Sequence, residues 1–239
     1  APDKPFTVYD QKFWWSDGWD PLSYGRDYDF TTPFFIQFKT LLSRVPLLCV
    51  SNSNAVNSEY CNVADQSKDS YLASGSYKIE RTLYSNRVYT VKDCSDLYVG
   101  FRCELCYECI SCSDSYRLLY SQDCNNCLDS FFLYDCRNCA GCVGCTNLRN
   151  KRYHIFNKPY AKDEYERARD ALRLDSRTGR AEVAKRFEGL RLAALRRYAR
   201  IQRSVNSVGD NLDHAKNCYY AFDITEGMED AKYVHWGGL

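Results

Sequence analysis

The chain has 239 residues, room for one large domain or two small ones, and its 45% hydrophobic and 15% aromatic content excludes a disordered polymer. Lys and Arg number 32 against 31 Asp and Glu, so net charge points to no polyanionic or polycationic partner. No apolar run approaches the ~20 residues of a membrane span, and no secretory apolar core stands near the start.

Residues 1–50 open on Ala rather than Met, as in a processed chain or a piece of a longer one. The stretch YDQKFWWSDGWDPLSYGRDYDF (9–30) is dense in aromatics and acids, and PFFIQFKTLLSRVP (33–46) follows. Phe34, Phe35, Phe38, Leu41, Leu42 and Val45 stand at helical spacing, with Pro33 suited to a first turn. The expectation is an aromatic N-terminal cap with a short helix, covering the end of the next element. An aromatic binding surface is the alternative.

Residues 51–150 hold most of the 14 cysteines, eleven of them between Cys94 and Cys145. Stepping by three from Cys103 back to Ala55 and on to Leu148 gives 32 positions, none of them charged, amide or aromatic. In a chain that is 26% charged, this is a strong pattern. The preceding position is often Asp, Asn or Gly, as at Asn54, Asp69, Gly75, Asp93, Asn126, Asn138 and Gly144. Those residues tolerate left-handed backbone and make local side-chain turns. Cys94, Ser115 and Cys136 are 21 apart, as are Cys103, Cys124 and Cys145. The expected fold is therefore mainly β: a β-solenoid of three-residue steps in ~21-residue coils, stacked ~4.8 Å apart.

Cys103, Cys106, Cys124 and Cys127 have the spacing of a zinc site, C-x2-C-x17-C-x2-C. The triplet register argues the other way. Cys139 lines up with Leu118 and Leu97 one and two coils away, and leucine cannot replace a zinc ligand. A packed thiol wall is favoured and no cofactor is expected, with zinc possible at those four cysteines and disulfides between coils a third alternative. Stacked free thiols suit a reducing cytoplasm.

Residues 151–208 switch to helical period, with a first helix over 161–175, Ser176 and Gly179 as punctuation, and a second from Ala181 to Val205. The second has an apolar stripe of Val183, Phe187, Leu190, Ala194, Tyr198, Ile201 and Val205. From Arg177 to Arg203 nine Lys/Arg oppose Glu182 and Glu188. Arg186, Arg191, Arg196, Arg197, Arg200 and Arg203 are the candidate contacts to RNA, the ribosome or a protein. The alternative is a basic face docked on the acidic solenoid of the same chain, with acids such as Asp93, Asp96, Asp123 and Asp135 as its partners. In 209–239 triplets return at Leu212, Ala215, Cys218, Ala221, Ile224 and Gly227, a short solenoid-like segment.

The aromatic opening, the CxxC ladder and GCTNLRNKRYHIFNKPYAKDEYE (144–166) together resemble an uncharacterised family of Cys-rich repeat proteins from uncultured bacteria. Members are often headed by a zinc ribbon and often carry a second Cys-rich array after the helices. The resemblance spans most of the chain and implies no particular activity. No CxxC precedes Cys103 here, so no ribbon-borne role is expected. Three functions follow: a non-enzymatic structural or interaction scaffold, favoured; a thiolate protein binding zinc or iron; and an enzyme using a Cys–His pair. The last has only His154, His214 and His235 to draw on, and no phosphate loop, HExxH or nucleophile elbow. A protein or RNA partner is expected, without a membrane or small-molecule substrate.

Overall fold

The computed structural model describes residues 5–96, 109–224 and 227–237. Cys103 and Cys106 lie outside the described residues. The chain divides into two compact units, Ala1–Ala193 and Ala194–Leu239.

The first unit is mainly β. Strands β1 (Val8–Tyr9) and β2 (Leu47–Leu48) pair parallel at the N-terminal end. A parallel ladder follows of β3 (Asn52–Ser53), β4 (Asn62–Lys68), β5 (Ser74–Glu80) and β6 (Tyr89–Lys92). A second ladder runs through β7 (Tyr116–Leu119), β8 (Leu128–Tyr134), β9 (Ala140–Thr146) and β10 (Arg152–Ile155). It ends on β11 (Lys158–Pro159), which pairs antiparallel with β10 and brings a proline, which has no N–H for a further strand.

The register is constant. Ala64 faces Ser76, Ile79 faces Val91, Leu118 faces Ser130 and Cys142 faces His154, each pair 12 residues apart. This corrects the expected 21-residue return. The chain comes back after four triplets, not seven; both lengths are multiples of three and leave the same residues facing inward.

The triplet itself is followed closely. Of the 32 positions, 97, 100, 103 and 106 lie outside the described residues, Ala55 is exposed and Leu148 half-buried, and the other 26 are buried. The residue before each carries the bend. Asn54, Asp69, Asp93, Asn126 and Asn138 have φ between 48° and 55°, and so do bulkier residues such as Leu72, Lys78 and Thr90. Left-handed backbone costs such residues about 1–2 kcal/mol each, so the packing around each turn must offset it.

Side chains at the bends form ladders of their own. Asn126 donates to Asn138 and Asn138 to Asn150, each at 2.9 Å. Arg81 holds Asp93 (2.9 Å from Nη2) and Arg117 holds Asp129, again one coil apart.

At the N-terminal end the expected cap is only partly built by aromatics. The side chain of Gln11, in the short helix α1 (Gln11–Trp14), closes the edge of β3: its Oε1 accepts the Asn52 N–H (3.0 Å) and its Nε2 donates to the Asn52 carbonyl (2.5 Å). Tyr9, Phe13 and Trp19 pack edge to face beside it. Helix α2 (Phe34–Leu42) forms where expected, but it is turned over. Its one buried residue is Gln37, which accepts the Asp29 N–H and donates to the carbonyls of Asp29 and Thr32, while Phe34, Phe35, Ile36 and Phe38 face outward.

Helices α3 (Lys162–Ala171) and α4 (Arg177–Ala193) lie against the β8–β10 part of the ladder. Tyr165, Val183 and Phe187 pack on Phe132, Val143, Ile155 and Phe156. Gly144 makes room for this, since a Cβ there would stand 2.5 Å from the Phe156 ring.

Gly179, read above as punctuation, is the third residue of α4 and is buried. Its N–H donates to the capping Ser176 Oγ (3.0 Å), and a Cβ on it would stand 2.2 Å from the Arg173 carbonyl oxygen. Gly179→Val is therefore expected to push the two helices apart at a cost of about 1–3 kcal/mol, visible as a lower urea midpoint with unchanged strand content by circular dichroism.

The second helix is shorter than expected. The apolar stripe past Leu190 is not helical: α4 ends at Ala193, Tyr198 is exposed, and Ile201 already belongs to a strand. Strands β12 (Ile201–Gln202), β13 (Val208–Asp213), β14 (Tyr219–Ile224) and β15 (His235–Gly237) form the second unit, a parallel ladder with coils of 11 to 13 residues. Its core is Leu212, Ala215, Cys218, Ala221 and Ile224. The return to triplets thus begins before residue 209.

Candidate functional site

The thiols were the first candidates, and their surroundings explain them. Each described inward thiol of the ladder from Cys112 to Cys145 donates to the carbonyl two residues earlier: Cys124 to Gln122 (3.3 Å), Cys127 to Asn125 (3.5 Å), Cys139 to Arg137 (3.3 Å). Inward hydroxyls do the same. Ser115 donates to Ser113 (2.9 Å), Ser121 to Leu119 (3.0 Å) and Ser130 to Leu128 (2.7 Å).

Several hydroxyls also accept an inward N–H from the next coil, as Ser121 does from Leu133 (3.0 Å). Cys145 Sγ accepts the same bond from Asn157 at 3.4 Å. Cysteine and serine therefore interchange on this wall because both reach the same backbone carbonyl, the thiol through a longer and weaker bond. Ser67 is an exception, its buried Oγ having no hydrogen-bond partner.

Of the proposed zinc set, Cys124 and Cys127 sit side by side in this wall, and Cys103 and Cys106 lie outside the described residues. Among the described residues no group of three or more His, Cys, Asp or Glu side chains is arranged to hold a metal ion, and all twelve described cysteines are unbridged. Burial lifts the thiols of Cys61 and Cys124 above the ordinary 9.0, which suppresses the thiolate that ligation, nucleophilic attack and alkylation all need. Cys49 is exposed. Iodoacetamide at pH 8 is thus expected to label Cys49 within minutes and to leave Cys61, Cys124 and Cys136 unlabelled until the protein is denatured, as peptide mass spectrometry would read.

The histidines do not assemble a site with these thiols. His154 stands one coil beyond Cys142 and donates from Nδ1 to the Arg152 carbonyl (2.7 Å), the bond that serine and cysteine make lower in the wall. His214 lies 3.3 Å from Asp213 and His235 lies 3.5 Å from Asp223, both in the second unit.

The six arginines are not one helical face. Arg186 and Arg191 are on α4, while Arg196, Arg197, Arg200 and Arg203 follow its end and belong to the second unit. Arg186, Arg191, Arg200 and Arg203 each have a partner within their own unit. Arg186 lies 3.8 Å over the Phe156 ring, and Arg191 pairs with Glu188 (2.8 Å). Arg200 pairs with Asp210 (3.3 Å), and Arg203 with Asp213 (2.6 Å). Arg196 and Arg197 are exposed. Partners among the chain's own acids are thus found, though at positions other than the solenoid acids expected.

What the sequence reading did not single out is a cleft of about 970 Å³ in the first unit, between the strand face and the end of α3. Arg117, Leu119, Asp129 and Phe131 line one side, and Arg169, Arg173 and Asp175 the other. Its charges are matched locally: Arg117 with Asp129, Arg169 with Asp170, Arg173 with Asp175. No helix among the described residues is long and apolar enough to cross a membrane. A scan of protein-family models finds no match to the chain, and a search of curated proteins finds none.

Proposed function

We propose that the protein is a β-solenoid of twelve-residue coils that acts without catalysis, as a rigid scaffold presenting rows of side chains to a protein partner in a reducing compartment. The observation that carries this reading is how each triplet is used. The inward residues are consumed by packing, most inward Ser and Cys also by a bond to a backbone carbonyl, and several bend residues by side-chain ladders. Chemistry-bearing groups are thus held in structural bonds, and the outward rows remain for recognition. The resemblance to the Cys-rich bacterial repeat family is compatible with this and adds no activity.

Elemental analysis of freshly purified protein tests the scaffold against a thiolate metal protein. The scaffold is expected to carry less than about 0.1 metal ion per chain at neutral pH; a stoichiometric metal that survives gel filtration overturns it. An RNA titration across a salt series tests the other alternative. The expected result is weak binding that fades by about 0.2 M salt. Tight binding lost in Arg196→Glu/Arg197→Glu would instead assign the basic segment to nucleic acid.

A further inference from the structure

Each of the two ladders of the first unit carries an apolar strip of two adjacent rows. Where the helices lie, the rows read Leu119, Phe131, Val143, Ile155 and Tyr120, Phe132, Gly144, Phe156, each step 12 residues. In the earlier ladder the positions equivalent by steps of 12 in the sequence hold Tyr71 and Leu83, and Tyr60, Leu72 and Tyr84, before the polar Ser95 and Asp96; positions 107 and 108 lie outside the described residues. Under α3 and α4 the rows are covered, with Phe132, Val143 and Phe156 buried. In the earlier ladder they are bare: Tyr60 is 69% exposed, Leu72 48% and Tyr84 58%.

The helices therefore cover the apolar strip of the later ladder, and the strip at the equivalent repeat positions of the earlier ladder is uncovered. Tyr60, Tyr71 and Tyr84 pack edge to face on one another (5.3 and 5.9 Å), an ordered strip rather than scattered apolar side chains.

The chain also carries an uncovered apolar helix. In α2, Phe34 and Phe38 stack at 5.5 Å one turn apart with Leu42 a turn further, and Phe35 is 79% exposed, because Gln37 has taken the inward position. The covered strip of the later ladder is met by Val183 and Phe187 of α4, also one turn apart. A helix with apolar residues at this spacing is what these rows accept.

We propose that the first unit self-associates, α2 of one copy lying on the Tyr60, Tyr71, Leu72, Leu83 and Tyr84 strip of a second copy. When the exchange is reciprocal, each copy gives one helix and takes one, the closed two-fold arrangement that prevails among oligomers. The proposal rests on the scaffold reading only through the twelve-residue register, so a monomer that keeps this register defeats self-association and leaves the scaffold intact.

Sedimentation velocity of the full chain from about 1 to 100 μM tests it. Wild type is expected to reach twice the monomer mass. Phe34→Glu/Phe38→Glu (helix damaged) and Leu72→Glu/Leu83→Glu (strip damaged) are each expected to weaken association by at least about 100-fold. Mixing the two variants is expected to restore a dimer, because one retains the strip and the other the helix.

A labelled peptide of residues 30–46 gives an independent reading, binding the wild-type chain and not the strip variant. A wild type that stays monomeric, a dimer that survives both variants, or a mixture that fails to re-associate while the peptide also fails to bind would each overturn the proposal. An α-helix of another protein occupying the strip would show as the first of these.

Discussion

Cys124→Asp is expected to destabilise the first unit by about 3–5 kcal/mol, while Cys124→Ser is expected to cost only about 1 kcal/mol. The thiol is fully buried in the inner wall, donating to Gln122, with burial already penalising its ionised form. A hydroxyl can make the same bond, as Ser121 and Ser130 do in the same ladder. A carboxylate cannot. It would be an acceptor facing a carbonyl, with no cation among the described inward residues, and an uncompensated buried charge costs about 3–5 kcal/mol, a large part of the ~5–15 kcal/mol that holds a domain folded. Urea unfolding followed by circular dichroism separates the two variants. Equal loss of stability in both would mean that the thiol does something a hydroxyl cannot, and would reopen the metal reading.

Phe187→Ala is expected to release the α3–α4 hairpin from the ladder at a cost of about 3–5 kcal/mol. Its ring meets Phe132 at 5.9 Å and shares a core with Val143, Ile155, Phe156 and Tyr165. The loss is expected to be local, because the strands beneath keep their own wall of Leu118, Cys124, Leu133 and Cys136. Hydrogen exchange read by mass spectrometry should show faster exchange over 162–193 and little change over 128–146. Trypsin should cut the hairpin at its arginines sooner than in wild type. Uniformly faster exchange across both regions would mean that helices and ladder fold as one unit.

The inner wall was legible in the sequence because charge avoidance at every third residue is a strong, local signal, and the Asn, Asp and Gly bends beside it support the same register. Coil length was not legible from that signal. Any multiple of three returns an inward residue to an inward position, so cysteines 21 apart looked like stacked neighbours. The outward rows carry the discriminating information. QDCNN and YDCRN are 12 apart, as are Asn126, Asn138 and Asn150, or Arg117 and Asp129, and their cross-strand bonds form only at four triplets per coil. The strip of Tyr60, Leu72 and Tyr84 becomes visible as a row only when stepped by twelve.

The helical segments were legible as helices, but the inward side of α2 and the end of α4 were not, for a different reason. In α2 the apolar spacing correctly gave a helix but not which side turns inward, because three hydrogen bonds from the Gln37 amide outweigh the packing that its aromatics would make. Beyond Ala193 the residues Tyr198, Ile201 and Val205 keep a spacing that also fits a chain entering a ladder. The arginine cluster was dense in sequence but is divided between the two units, since their boundary falls within it.

The central claim is the twelve-residue parallel register, and cross-strand contacts measured by nuclear magnetic resonance on the perdeuterated chain test it most directly. The account predicts amide–amide Overhauser contacts joining Tyr116 to Leu128 and Leu128 to Ala140, with Asp65 to Tyr77 and Tyr77 to Tyr89 in the earlier ladder. Contacts at a separation of 21 in their place, such as Ser115 to Cys136, would contradict it.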